Sequence, residues 1–132
     1  MSTFLKLLAG GFLALVVLLA FLSASEPRRP ESSPEEEAEF QHLVLGALTI
    51  KHSMRNPDSF VLERVLVPAG SSTACYEYRA QYGFGGMNRG QAVWAGEDFK
   101  TSEMGELAAL WNKHCADKPG KDRADLIKYA VR

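Results

Sequence analysis

The stretch T-A-C-Y-E-Y-R-A-Q-Y, residues 73–82, alternates with a period of two. Tyr76, Tyr78, Ala80 and Tyr82 fall on one side, and Cys75, Glu77, Arg79 and Gln81 on the other. Successive side chains point to opposite faces in an extended chain, so this stretch predicts a β-strand with one aromatic face. Downstream, G-F-G-G-M-N-R-G at residues 83–90 supplies a turn, and Q-A-V-W-A-G at 91–96 reads as a further short strand. Upstream, F-V-L-E-R-V-L-V at residues 60–67 is rich in β-branched side chains, apolar on both faces, and closed by Pro68 and Gly70. Three consecutive strands with short connections predict an antiparallel meander.

Helical signals flank the strands. Ser33 stands as an N-cap before Pro34, and Glu36 sits where a capping box places its carboxylate. Glu35, Glu36 and Glu37 complement the positive end of the helix dipole. Phe40, Leu43, Val44, Ala47, Leu48 and Lys51 then recur at three- and four-residue steps, which predicts an amphipathic helix ending before Pro57. After the strands, Thr101 or Ser102 is placed to cap a second helix, with Met104, Leu107, Ala108, Leu110, Trp111, His114 and Cys115 on one broad face. K-P-G at residues 118–120 stops it, and Leu126, Ile127, Ala130 and Val131 mark a last short helix within 122–131. The expected fold is therefore an α+β domain over residues 34–132: a helix, a three-stranded meander and one or two C-terminal helices, packed on one face of the sheet. No internal repeat is present.

Residues 4–22 are almost wholly apolar, with Lys6 the only charge, and as a helix they would extend about 28 Å, close to the hydrocarbon thickness of a bilayer. An N-terminal hydrophobic helix over residues 1–25 is thus expected as a transmembrane anchor or signal segment. Its unbroken apolar run of 16 residues, 7–22, exceeds the usual signal core of about 7 to 15 residues and favours a retained anchor. Ser23, Ala24 and Ser25 are small enough for a signal peptidase, so cleavage and release to a secreted or periplasmic form is the alternative. No cysteine follows the run to carry a lipid. Residues 26–33 combine Pro, Ser and charge without a large apolar side chain, and are expected to form a flexible tether.

Flanking charge leaves orientation almost balanced, with Lys6 and the amino terminus facing Arg28 and Arg29. The cysteines decide it. The chain has two, Cys75 and Cys115, and in an exported chain a pair is most simply a disulfide. The domain is accordingly expected outside the cytoplasm, as the C-terminal part of a single-pass membrane protein. Closing about forty residues, such a bridge stabilises by about 4 kcal/mol in the chain-entropy model. The absence of a C-x-x-C pair points to a structural rather than a redox bridge.

Candidate binding residues lie on the strands and their connection. Phe84, Met87 and Arg89 would stand at the tip of the glycine-rich hairpin. Tyr76, Tyr78 and Trp94 would form an aromatic platform if their face were open, or pack beneath a helix if it were covered. The glycine spacing matches neither G-x-G-x-x-G nor G-x-x-x-x-G-K-[ST], so no nucleotide cofactor is implied. His114 and Cys115 diverge as helical neighbours, and His42 and His52 lie ten residues apart, so no metal site is expected. Lys and Arg number 15 against 16 Asp and Glu, for a net charge of −1, and no basic stripe argues for nucleic acid.

From Asn56 to Gly90 the chain resembles small exported bacterial proteins of uncharacterised function. The resemblance rests on Pro57, Asp58 and Ser59, on Cys75 with Glu77 two residues on, and on Gly85, Gly86 and Gly90 of the hairpin. Tyr76 stands where those proteins would carry a glycine. It implies export and a similar sheet, and no activity. Together these readings lead to an expected membrane-anchored or exported interaction domain of the cell envelope, facing an envelope protein or polymer. A small extracytoplasmic hydrolase or redox enzyme is the alternative from another class. If the apolar segment is retained, mass measurement of the membrane fraction returns an intact N-terminus; a mature chain beginning at Glu26 would mark cleavage instead.

Overall fold

Ser33 opens the first helix, α1 (Pro34–Ser53), through a reciprocal pair of hydrogen bonds. The Glu36 amide donates to Ser33 Oγ at 3.2 Å, and the Ser33 amide donates to the Glu36 carboxylate at 3.1 Å. Both satisfy amides that a helix start leaves without partners. The computed structural model describes residues 32–132, so the expected anchor at 1–25 and most of the tether lie outside the described residues. Among the described residues, no helix is long and apolar enough to cross a membrane. Residues Ser33–Arg132 cluster as one unit.

A 3-10 turn at Pro57–Ser59 ends the approach from α1 and starts the sheet. Its strands are β1 (Val61–Pro68), β2 (Ala74–Tyr82), β3 (Gly86–Ala95), β4 (Asp98–Thr101) and β5 (Gly120–Asp122), with helices α2 (Leu107–His114) and α3 (Ala124–Ile127) completing the order. All neighbours are antiparallel, in the spatial order β4-β3-β2-β1-β5. The meander is therefore present but is the centre of a five-stranded sheet. The two added strands carry weak signals. D-F-K-T is four residues long, and G-K-D has no apolar side chain at all, being held by the backbone of β1 rather than by burial.

Tyr76 of β2 lies opposite Val65 of β1 and Ala92 of β3, and these three pack with Leu43, Ala47 and Ile50 of α1 and with Ile127 of α3. One residue along each strand, Leu66, Cys75 and Val93 point to the opposite face and meet Leu107, Leu110 and Trp111 of α2. Helices thus cover both faces, where one covered face was expected. A disulfide joins Cys75 to Cys115, the C-cap of α2, with Cα atoms 5.9 Å apart. The tyrosines and the cysteine of β2 never compete for one helix, because each face has its own.

Two helix boundaries also differ from expectation. Thr101 is buried at the end of β4 and Met104 lies exposed in the following turn, so α2 starts only at Leu107, after Glu106 in a left-handed conformation with φ of 69°. Asp122 closes β5 instead of opening a helix, and its carboxylate accepts from the amides of Val65 at 3.2 Å and Ala124 at 3.0 Å. The short α3 is fixed to α1 by a two-pronged ion pair, Arg123 to Glu39 at 2.9 and 3.2 Å. Because the bridge closes a separation of 40 residues, reducing it is expected to lower unfolding free energy by about 2–4 kcal/mol, read as a fall in urea midpoint with dithiothreitol.

Candidate functional site

The hairpin between β2 and β3 turns on Gly83, Phe84 and Gly85, with Tyr82 paired to Gly86 at its mouth. Gly85 has φ of 85°, the left-handed third position that such a loop requires, and its amide donates to Tyr82 O at 3.0 Å. The turn leaves the Phe84 side chain wholly in solvent, at 107% relative exposure, with Met87 at 48% beside it. Each stands on a strand or turn whose backbone is fixed by pairing or by the turn's own hydrogen bond.

The base of this hairpin is braced by the segment that precedes β1. Ser59 Oγ accepts from the Gln81 amide at 2.8 Å while donating to Asn56 O at 2.7 Å. Asn56 Nδ2 donates to the Gln81 side chain at 2.7 Å, and Gln81 Nε2 donates on to Gly85 O at 3.0 Å. A continuous polar chain therefore runs from the 3-10 turn to the hairpin loop. Asn56, Ser59 and Gln81 were not singled out in the sequence as site residues, although Ser59 and the glycines sit in one resembling segment; their partners lie 22 and 25 residues away.

Arg89 lies on the face of the sheet that α2 covers at its other end. There the strands carry Glu63, Arg64, Glu77, Arg79 and Gln91, and Glu63, Arg64, Glu77, Arg89 and Gln91 line an open depression of ≈ 610 Å³ together with Ser102. Glu63 is shared by Arg79 at 2.6 Å and Arg89 at 3.4 Å, and Arg64 spans Glu77 at 3.8 Å and Asp122 at 3.9 Å. Exposed pairs of this kind contribute about 0.2–1 kcal/mol each, so they order the surface more than they hold the fold. Arg89 is the most exposed of these bases, at 82% for its side chain. The depression was legible only as alternating charges of one parity, a pattern shared with any solvated strand face.

The aromatic residues fall differently. Tyr76 and Tyr78 are fully buried beneath α1, so their face is covered and offers no platform. Tyr76 OH donates to Leu43 O at 3.2 Å, which is possible because Gly46 above it has no side chain. Tyr78 lies across Gly90, where an added Cβ would stand 2.5 Å from the ring, and its hydroxyl has no hydrogen-bond partner among the described residues. Trp94 is half-buried between His42 and Phe99, with ring centroids at 4.3 and 5.7 Å. Among the described residues, no group of three or more His, Cys, Asp and Glu is gathered to hold a metal ion. No family model, no curated protein and no solved structure matches the chain.

Burial raises the ionisation of Tyr76 and Tyr78 well above the ordinary phenol range, with Tyr82 adding to the effect at Tyr78. Their neutral forms are favoured in the folded chain, so this stabilisation is complete below about pH 10 and is lost as pH climbs above it. Of the four tyrosines, Tyr76 and Tyr78 are expected to stay un-ionised in an absorbance titration at alkaline pH until the chain unfolds.

Proposed function

We propose that the chain is an interaction domain of the cell envelope, held to a membrane by its N-terminal apolar segment or released from it, and that the braced hairpin is its contact surface. The observation that carries this reading is Phe84, a large apolar side chain wholly exposed on a turn tied down by Gln81, Ser59 and Asn56. Exposed apolar residues are common singly; a preorganised mount for one, with Met87 alongside, is what lowers the ordering cost of binding. The disulfide is compatible with an extracytoplasmic domain, and the apolar segment at residues 4–22 supplies a route there. Those two features taken together support a single-pass arrangement with the domain outside.

The enzyme alternative draws less from the same residues. Each carboxylate lining the depression is already paired with an arginine, so none is left as an unengaged base. Both sulfurs lie in a bond that is nearly inaccessible, Cys75 being 1% and Cys115 3% exposed, which denies an incoming thiolate its target.

A photoreactive residue introduced at Phe84 in the full chain is expected to give an ultraviolet-dependent adduct in the membrane fraction, and the same residue at the exposed Leu45 none. Phe84→Ala is expected to weaken association while changing stability by less than about 0.5 kcal/mol, since the side chain is wholly exposed in the folded domain. Equal labelling from both positions would remove the hairpin from the reading.

A further inference from the structure

We propose that the partner of this hairpin is a second copy of the chain, joined through the outer edges of β3 about a two-fold axis at Asn88. The inference rests on the binding reading above and names its occupant.

β3 extends over Gly86–Ala95, but β4 pairs with it only along Ala92–Ala95. Ser102 adds one more step, its amide donating to Gln91 O at 2.9 Å and its Oγ accepting from the Gln91 amide at 2.6 Å. The chain then turns away. Over residues 86–90 no strand among the described residues occupies the outer edge of β3. Since Gln91 directs its N–H and C=O outward, the alternation of an antiparallel ladder directs those of Arg89 and Met87 outward as well. Their row is the kind of unpaired edge that templates a further strand. Two of the usual protections are missing here: the pairing with β2 runs without a bulge from Ala74↔Trp94 to Tyr82↔Gly86, and no proline interrupts it.

The free edge is a notch about 17 Å long, five residues at strand rise, closed at one end by Ser102 and open past the hairpin tip. A second hairpin entering antiparallel presents the same five residues, so notch and filler have equal length. Only one register suits both. With the axis at Asn88, Met87 pairs with Arg89 of the second copy and the outward groups of both exchange backbone hydrogen bonds. An axis at Arg89 would set two guanidinium groups opposite each other, and one at Met87 would require Gly85, in its left-handed turn, to act as strand. In the Asn88 register, Phe84 of each copy falls level with Ala92 of the other, where β4 ends at Thr101, and Met104 in the turn that follows is itself 48% exposed. A foreign strand is less well served, because specificity in strand addition comes from pockets for alternate side chains, and Gly86 and Gly90 flank Asn88 on one face without forming any.

Asn88→Cys in the full-length protein tests the register, because at the axis of a non-hydrogen-bonded pair the two Cα atoms are about 4.5 Å apart, within disulfide range. The native cysteines are bonded to each other, so the introduced thiol would be the single free one. Mild oxidation is expected to give a covalent dimer with Asn88→Cys, and to leave Thr49→Cys, exposed on α1, monomeric. Adding Arg89→Pro, which removes an outward N–H without touching the ladder to β2, is expected to abolish the dimer. An Asn88→Cys variant whose thiol reacts with maleimide yet stays monomeric on oxidation overturns the proposal. The adduct formed from position 84 separates it from the reading beneath: a second copy supports both, a different protein overturns the dimer and keeps the binding surface, and no adduct overturns both.

Discussion

β2 carries a different bond on each of its faces, one to each helical layer. On one side Tyr76 reaches through the gap left by Gly46 to the carbonyl of Leu43, drawing α1 close to the sheet. On the other, one residue away, Cys75 is covalently joined to the end of α2. A slip of one residue in the pairing of this strand would send the tyrosines toward α2 and the sulfur toward α1, breaking both contacts at once. Register is therefore specified twice, by a close-packed phenol and by a covalent bond. A small domain with limited core benefits from that redundancy, since the fraction of surface buried on folding is smaller in shorter chains.

The elements legible in the sequence are those whose signals are local. The start of α1 was readable because Ser33 and Glu36 satisfy each other within one turn, and β2 because its alternation runs unbroken through ten residues. The partnership of Cys75 and Cys115 was readable from number and compartment alone. What could not be read depends on distant partners. β5 has no apolar residue and exists because β1 offers an edge; the second covered face was hidden because an apolar strand such as β1 looks the same whether one helix layer or two lie against it. The start of α2 was misplaced because Thr101 and Ser102, good caps by residue type, are taken up by strand pairing with β3. At the site, Phe84, Met87 and Arg89 were legible as turn residues, while the brace through Gln81 needed a side chain 25 residues from Asn56.

The division of labour along the central hairpin argues for where function lies. From Ala74 to Tyr78, and across to Trp94, its residues serve the core, and helices lie over both faces. Beyond Tyr78 the hairpin continues past α2 and past the end of β4, carrying charged residues on one face and glycines on its edge. The fold draws little on the outer part of that extension: Ala80 is buried and Tyr82 packs against the core, but Phe84 buries nothing in the domain and Met87 little, and the surface ion pair of Glu63 with Arg89 adds little to stability. Yet the extension is not left loose, since Asn56 and Ser59 each bond to Gln81 at its base and Gln81 bonds on to Gly85 of the loop. Fixing a segment that contributes little to folding costs conformational entropy that must be offset elsewhere. In the proposed reading, preorganisation for a partner is the physical return on that cost, with the open, unbulged edge and its exposed phenylalanine as the surface that would receive one.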